Sequence, residues 1–239
     1  MTRTDPLCID PRVDPLLTEL REPVALHRAG PGHPARPELH GFVRDCFRRA
    51  HGARVDSFYP DLLCFSAASG IRAVVGYRGA LDELLFLEHY LDLPAEDRLT
   101  ALTGSAVPRD GLVEVGNLAL SDAGQARWLI AATTAFLAAA GYRWVLFTAT
   151  RPLANAFRRL GLRPLRLADA DPARLPDGGA AWGAYYRQAP AVYAGDILAG
   201  AGKLQGAGRS AQPCLRSLLA HAWSLGACAG AQAPRVSEA

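Results

Sequence analysis

Long apolar runs are absent from this chain of 239 residues, in which no stretch of about 20 uncharged apolar residues occurs. A membrane span is therefore not expected. The first 12 residues carry Asp5, Asp10 and two prolines in place of an apolar segment of signal-peptide length. We therefore expect a cytoplasmic protein.

The sequence also lacks cysteine spacings typical of metal sites or disulfides, and motifs typical of a catalytic nucleophile. The five cysteines are odd in number and include no Cys-x-x-Cys pair, which disfavours a zinc site and a disulfide framework. No metal centre is predicted. No Gly-x-Ser-x-Gly sequence or comparable Ser, Cys and His pattern occurs, and this disfavours a hydrolase.

Charge of one sign is not concentrated anywhere in the chain. The formal net charge is +3, and the basic pairs, such as Arg48-Arg49 and Arg158-Arg159, are short. No nucleic-acid partner is therefore expected. Half of the residues are hydrophobic and 21% are charged, a balance that is typical of a folded domain with a real core.

The order of predicted elements indicates the fold class. Apolar runs predict strands over 62–67, 71–77, 84–91, 111–120, 144–150 and 162–167. Helical spacing predicts helices over 38–50, 94–102, about 123–140 and 152–160. A helix between the strands at 111–120 and 144–150 implies that these two are parallel neighbours, whereas the earlier hairpin implies antiparallel pairs. We predict an α/β (α+β) fold with a mixed central sheet and helices on both faces.

Changes in composition divide the chain into three predicted segments. Residues 1–23 are rich in Pro and Asp and are expected to be flexible. Residues 24–197 form the predicted domain. Residues 198–239 begin with a Gly-, Ala-, Ser- and Gln-rich stretch at 199–213 that predicts a linker. Apolar residues at helical spacing follow it, and they fit either a terminal amphipathic helix or a tail without fixed structure.

Several separated motifs in this domain resemble a known family. FLEHYLD (86–92), VEVGNLA (113–119), FTAT (147–150) and LPDGGAAWGAYY (175–186) resemble the thermostable hemolysin family. The strand, helix and strand from 114 to 150, with the closing segment at 155–162, resemble the GNAT acyltransferase core. The layout is also similar to that of acyl-homoserine-lactone synthases. The family's name implies cell lysis, whereas its fold relationship implies acyl transfer.

The resemblance implies that an acyl group moves from a thioester to a small-molecule amine by direct attack. The co-substrate would be acyl-CoA or the acyl-phosphopantetheine of an acyl carrier protein, and no cofactor would be permanently bound. Strand N–H groups and a helix N-terminus would hold this donor. The residues implied to bind it are Leu118, Ala119, Gly124, Gln125, Ala126, Arg127 and Asn155. Only Gly124 stands where the superfamily has two close glycines, and Asp122 adds a negative charge nearby. This departure argues against tight binding of coenzyme A, and a donor on acyl carrier protein is a reasonable substitute, because it brings one phosphodiester in place of a pyrophosphate.

Three residues are candidates for catalysis. Glu114 is interpreted as a general base or amine anchor, the alternative being a solvent-facing position of an alternating strand. Glu88 either shares the cleft with Glu114, so that one carboxyl has a raised pKa, or pairs with an arginine. Asn117 either binds the substrate or stabilises a strand bulge.

A second group of residues is proposed for the substrate pocket: Tyr90, Thr148, Thr150, Trp182 and Tyr186. The aromatic members could instead belong to the core, and the threonines could simply suit a strand. Two other functions compete with acyl transfer. One is a membrane-active protein that uses residues 213–229 as its contact, and the other is a non-catalytic protein that binds an acyl ligand.

Overall fold

The computed structural model describes residues 20, 22–81, 83–122, 126–208 and 211–232. Within these residues, seven strands form one sheet in the order β1-β2-β3-β4-β5-β7-β6. The strands are β1 Ala25–Ala29, β2 Asp61–Ala67, β3 Gly70–Gly79, β4 Leu112–Leu120, β5 Trp144–Ala149, β6 Leu165–Asp169 and β7 Ala191–Asp196. The strands β4 and β5 are parallel, and every other neighbouring pair is antiparallel. The predicted mixed sheet is confirmed.

In the described part of the chain, six α-helices cover the two faces of this sheet. They are α1 Arg36–His51, α2 Ala95–Thr103, α3 Ala126–Ala139, α4 Arg151–Arg159, α5 Ile197–Gly208 and α6 Pro213–Gln232. One face packs against α3, α5 and α6 in the largest apolar cluster. The other face packs against α1 at one end and against α2 with the 3₁₀ helix Phe86–Tyr90 at the other. Helices on both faces were predicted, and this is confirmed.

The strand predicted over 84–91 is wrong, because this segment contains the 3₁₀ helix Phe86–Tyr90. Its apolar residues do point inward, with Leu85, Leu87 and Tyr90 buried. The N–H groups at its start bond to the carboxylate of Glu114 instead of to a neighbouring strand. A side chain thus supplies the hydrogen bonds that the prediction assigned to a sheet.

The linker predicted over 199–213 is also wrong for most of its length, since α5 runs from Ile197 to Gly208. The predicted terminal helix is present as α6. Its buried residues belong to the same cluster as those of α3. At Gly226 the backbones approach so closely that a Cβ atom would lie 2.1 Å from the carbonyl oxygen of Phe136. The apolar face that was proposed for membrane contact is therefore used inside the fold.

Strand β7 was not predicted. Its six residues lie between β5 and β6 and pair with both. The segment that follows β6 contains two 3₁₀ helices, Ala180–Trp182 and Tyr185–Gln188. Among the described residues, no helix is both long and apolar enough to cross a membrane.

Candidate functional site

The two parallel strands separate partway along their length. Pairing between β4 and β5 extends from Leu112 with Trp144 to Val115 with Phe147 and then stops. Yet β4 continues to Leu120 and β5 to Ala149. The side of β4 that faces β5 therefore carries backbone groups beyond Val115 that β5 does not pair. Such groups are suited to bind the amides or the carbonyl of an extended ligand.

A bulge lies in β4 where this gap opens. Gly116 pairs with Gly76 and Ala119 pairs with Val74, so Asn117 and Leu118 together lie opposite one residue of β3. Asn117 has a positive φ of 45°, a backbone conformation that asparagine tolerates better than most residues. The bulge that was one of two interpretations of Asn117 is thus present.

The bulge changes which side chains face which helix layer. Before it, Glu114 contacts the 3₁₀ helix and Val115 packs with the α3 cluster. After it, Ala119 packs with the α1 cluster and Leu118 with the α3 cluster. A regular strand would place Ala119 on the same face as Val115, because strand side chains alternate with period two.

Asn117 also fixes the loop between α1 and β2. Its Oδ1 accepts the N–H of Tyr59 at 3.0 Å, and its Nδ2 donates to the carbonyl of Ser57 at 3.3 Å. The asparagine amide therefore has partners at both ends within the chain. Its contribution to the site is to hold Tyr59 against the bulge.

Glu114 is buried, with only 2% of its surface exposed. The N–H groups of Phe86 and Leu87 each donate to its carboxylate at 2.8 Å, and Arg78 donates at 2.9 Å. Burial raises the pKa of Glu114, while Arg78 and the two N–H groups oppose that rise. The solvent-facing alternative is therefore excluded, and the carboxylate anchors the 3₁₀ helix to β4.

Glu88 has a comparable set of partners, one of which is the first residue of α2. Its carboxylate accepts Arg109 at 2.8 and 2.9 Å and the N–H groups of Leu85 and Ala95 at 3.0 and 2.9 Å. Burial acts to raise the pKa of Glu88, but these hydrogen bonds outweigh it and the pKa is lowered overall. The structure thus shows the arginine pair, and Glu88 caps the start of α2.

Tyr59 belongs to this site and was missed in the sequence. A Cβ at Gly116 would lie 2.5–2.7 Å from its ring and hydroxyl, and one at Gly76 would lie 2.9 Å from its Cβ. The ring therefore rests on two glycines that pair across β3 and β4. Burial raises the pKa of Tyr59 well above its ordinary value, and the nearby charge of Glu114 acts in the same direction. Glycine inside each of two adjacent strands is the signal that could have indicated a ring seated there.

The predicted aromatic pocket residues form one cluster beside the 3₁₀ helix. The hydroxyls of Tyr90 and Tyr186 are 2.6 Å apart. The ring of Trp182 lies 6.0 Å from the ring of Phe86 and 6.4 Å from that of Tyr186. Trp182 and Tyr186 are only partly buried, so the cluster presents aromatic surface as well as core.

The predicted threonines lie on the β5 side of the gap. Thr148 is half-buried and lies two residues after Leu146, so both face the layer of the 3₁₀ helix. Thr150 is the residue before α4, and its side chain makes no capping hydrogen bond there. These positions border the gap on the side opposite the bulge.

The predicted phosphate-binding residues are only partly described. Gly124 and Gln125 lie outside the described residues. Ala126 is buried in the first turn of α3, and burial together with the charge of Arg159 lowers the pKa of Arg127. Asn155 is exposed on α4 and accepts a hydrogen bond from Arg158 at 3.2 Å.

Comparison with known proteins identifies relatives of this arrangement. The family model for thermostable hemolysin matches residues 29–201, which is most of the chain. No curated protein matches the chain in sequence.

Three solved structures share the fold at low identity. FeeM, an N-acyl amino acid synthase from uncultured soil microbes, is 12% identical over 77% of this chain and 96% of its own, with a TM-score of 0.53. BjaI, a CoA-dependent acyl-homoserine lactone synthase with SAM and isopentyl-CoA, is 14% identical over 82% of this chain and 98% of its own, with a TM-score of 0.52. TofI in an apo form is 19% identical over 80% of this chain and 98% of its own, with a TM-score of 0.51.

Proposed function

Because the chain belongs to the thermostable hemolysin family and has the fold of acyl-transferring synthases, we propose that it transfers an acyl group from a thioester to an amine. The observation that carries this proposal is the gap beyond the pair Val115 and Phe147. A pantetheine arm is an extended chain with amide groups, and it needs backbone partners of the kind that this edge of β4 leaves open.

The reaction is direct attack of the amine nitrogen on the thioester carbonyl. Backbone N–H groups of β4 beyond Val115, around Leu118 and Ala119, polarise the carbonyl and stabilise the charge on its oxygen. Trp182, Tyr186 and Thr148 border the space for the acyl group and the acceptor. Holding both reactants in this gap replaces a bimolecular encounter by an oriented one.

The amine acceptor is supported by the names of the structural neighbours, one an N-acyl amino acid synthase and another an acyl-homoserine lactone synthase. Because these neighbours share only the fold with this chain, we propose an amine as the acceptor and no narrower chemical class. As the candidate general base, Glu114 would accept the proton of this amine at a carboxylate oxygen once the amine replaces one of the donors now bonded to it.

The donor is proposed to be a thioester on an acyl carrier protein. Arg127 and Arg159 lie near each other at α3 and α4, with Arg158 and Arg151 exposed on α4. This positive surface at the helix ends suits a single phosphodiester on an acidic protein. Asp122, exposed just before α3, disfavours the more highly charged pyrophosphate of CoA.

The proposal is tested by mass spectrometry of acylated amines together with the release of free thiol. The purified full-length chain is incubated with acyl-CoA or with acyl-carrier protein and a panel of amines. We expect amide formation, with the carrier-protein donor preferred. Equal use of acyl-CoA contradicts the donor assignment. Binding of acyl thioesters without any turnover supports the alternative of a non-catalytic acyl-binding protein and contradicts the enzyme.

A matched pair of variants tests the location of the site. Thr148→Trp places a large ring at the gap and is expected to lower kcat/KM for the donor on the order of 100-fold. Ser224→Trp adds the same ring on the exposed side of α6 and should leave it unchanged. Equal activity of the two variants would show that the gap is not the donor site.

A further inference from the structure

Arg78 is shared between two carboxylates that differ greatly in exposure. Its Nε and Nη2 each lie 2.9 Å from Oε2 of Glu114, and its Nη1 lies 3.1 Å from Oε1 of Glu83. Glu114 is 2% exposed, whereas the side chain of Glu83 is 54% exposed and that of Arg78 is 14% exposed. The guanidinium therefore connects the buried carboxylate to one that is in contact with solvent.

The donors to Glu114 differ in how easily they can be replaced. The N–H groups of Phe86 and Leu87 belong to the first turn of the 3₁₀ helix, and each donates at 2.8 Å. N–H groups at the start of a helix have no partner within the helix, so they depend on this carboxylate. Moving them would shift the 3₁₀ helix as a whole, whereas Arg78 needs only a change in its side-chain torsions. Arg78 is therefore the donor that an incoming amine replaces most easily.

Glu83 favours this replacement. Its negative charge attracts the guanidinium of Arg78 away from Glu114, and it leaves Arg78 with an ion pair when the contact to Glu114 is lost. A buried charge without any partner would be strongly unfavourable. The ring of Tyr59, whose centre lies 4.8 Å from the guanidinium carbon, is a second attractive surface beside it. Arg78 can therefore leave Glu114 without becoming an unpaired charge.

The buried carboxylate lies at the start of the proposed donor gap. Arg78 and Glu114 pair across β3 and β4. Glu114 directly precedes Val115, the last residue of β4 that pairs with β5. Thr148 of β5 faces the layer of the 3₁₀ helix, which is the layer that Glu114 contacts. An amine bound to Glu114 would therefore lie in the same layer as the residues that border the gap.

The charge of the amine suits this exchange. An alkylamine with a pKa of about 10 carries a positive charge at neutral pH. When its ammonium group replaces the guanidinium of Arg78, the carboxylate of Glu114 keeps one cation as its partner. The exchange therefore does not leave the buried carboxylate without a compensating charge, which would be costly.

We infer that Arg78 is the donor that the amine replaces and that Glu83 is a positioning residue that holds Arg78 aside. This inference rests on the function proposed above. The ammonium gives one proton to Glu114, and the neutral nitrogen attacks the thioester carbonyl. As the C–N bond forms and the C–S bond breaks, a second nitrogen proton leaves with the thiolate. Glu114 then gives its proton to solvent, so the products are an amide, a thiol and one proton.

The groups around Glu114 determine the sign of the pH effect. Burial raises the pKa of Glu114, and the charge of Arg78 opposes that rise. Tyr59 and Tyr90 also act on Glu114, and burial raises the pKa of each, so both stay neutral near pH 7. Glu88, on the same 3₁₀ helix, is paired with an arginine of its own. Removal of the second carboxylate on Arg78 would therefore lower the pKa of Glu114.

The test is Glu83→Gln, which keeps the shape of the side chain and removes its charge. We expect the KM of the amine to rise about two- to fivefold, as for the loss of an exposed ion pair, with the KM of the thioester unchanged. The acidic limb of the pH profile of kcat/KM should move to lower pH by roughly half a unit. A role in the fold alone would not change one KM and leave the other.

Glu96→Gln is the matched control. Glu96 lies 2.6 Å from Nη1 of Arg109, which also pairs with the more deeply buried Glu88. This variant thus removes the more exposed carboxylate from a second arginine that bridges two glutamates. We expect it to keep the parent's KM for both substrates and the parent's pH profile. Equal shifts in Glu96→Gln and Glu83→Gln would indicate a general charge effect and overturn the assignment.

The outcomes separate the two proposals. If the parent forms amide and Glu83→Gln matches it in the KM of the amine and in the pH profile, the role of Glu83 is wrong while the proposed function stands. If both KM values rise together, Glu83 supports the fold of the site and the inference is wrong. If the parent forms no amide with any donor and amine, the proposed function fails, and the role of Glu83 fails with it.

A second measurement does not depend on turnover. NMR of protein that carries glutamate labelled at the carboxyl carbon follows the titration of Glu114, whose signal is assigned by its loss in Glu114→Gln. We expect a lower pKa of Glu114 in Glu83→Gln than in the parent, because Arg78 then acts on one carboxylate alone. An equal pKa in the two proteins would mean that Glu83 does not weaken the contact between Arg78 and Glu114.

Discussion

The two faces of the sheet are stabilised by different kinds of contact. On the face covered by α1, α2 and the 3₁₀ helix, the carboxylates of Glu114 and Glu88 accept N–H groups from the starts of helices and pair with arginines. On the face covered by α3 and α6, the contacts are apolar, and backbones approach each other at Gly226. Each polar contact defines a distance and a direction, whereas apolar packing mainly excludes water.

The polar contacts on one face fix the positions of particular residues, whereas the apolar packing on the other face contributes mainly to the stability of the whole fold. The polar face carries Tyr59, the aromatic cluster and the bulge, which are the parts whose geometry matters for the proposed reaction. The apolar face carries α6, all of which lies outside the residues 29–201 that match the family model. We infer that this helix acts as an added support for α3, the helix that connects the two diverging strands.

The largest expected effect concerns the polar face. Glu114→Ala leaves the guanidinium of Arg78 and two N–H groups without their buried partner, and the free energy of unfolding should fall by about 3–5 kcal/mol. Urea denaturation followed by circular dichroism measures this loss. Glu83→Ala removes the other partner of Arg78, a side chain that is 54% exposed, and should cost at most about 1 kcal/mol. Equal losses would mean that the buried carboxylate is not a special anchor.

Two glycine-to-alanine substitutions on the apolar face should change the stability by intermediate amounts and in opposite directions. Gly226→Ala forces α6 away from the carbonyl of Phe136 and should destabilise the protein by about 1–3 kcal/mol. Gly202→Ala changes a glycine of α5 that has open space around its Cβ position. It should stabilise the protein by about 0.4–1 kcal/mol, because alanine restricts the unfolded chain. Thermal unfolding of both variants checks the signs, and a stable Gly226→Ala variant would contradict the close packing of α6.

The smallest expected effect is a pH dependence that originates near the polar face. Burial lowers the pKa of His51 below its ordinary value of 6.5. Below about pH 6.5 the unfolded chain therefore binds a proton that folded His51 does not. Stability falls as the pH decreases from this value and levels out below the folded pKa. His51→Leu should show a smaller drop in Tm between pH 7.5 and 5.5 than the parent. His221→Leu, on the exposed side of α6, should show the parent's full drop.

Much of the fold follows from local patterns in the sequence. The parallel pair β4 and β5 was predicted because a helix lies between two strand-like segments of the sequence. The segment 84–91 misled the prediction because an apolar run with bulky residues fits a strand as well as a buried 3₁₀ helix. The 3₁₀ helix forms here because its N–H groups bond to Glu114, which belongs to a strand far along the chain.

The remaining errors also arise from long-range contacts. Residues 199–208 contain glycines that are typical of a linker, yet Ile197, Ala201 and Leu204 lie at helical spacing and bury against α3. For Glu114 the sequence left a solvent-facing position open as an alternative, and only the 3₁₀ helix that covers it in the fold excludes that alternative. Tyr59 was missed since its partners Gly76 and Gly116 belong to strands that come together only in the folded sheet.

The position of β7 has a consequence for how the molecule assembles. Among the described residues β7 is the last strand along the chain, yet it fills the place between β5 and β6 and pairs with both. During synthesis β6 therefore has no neighbour until residue 196 has left the ribosome, and β5 keeps one open edge for the same time. A fragment that ends before Ala191 would expose both edges to pairing with other chains. Release of the nascent chain at that stage is where aggregation is expected to compete with folding.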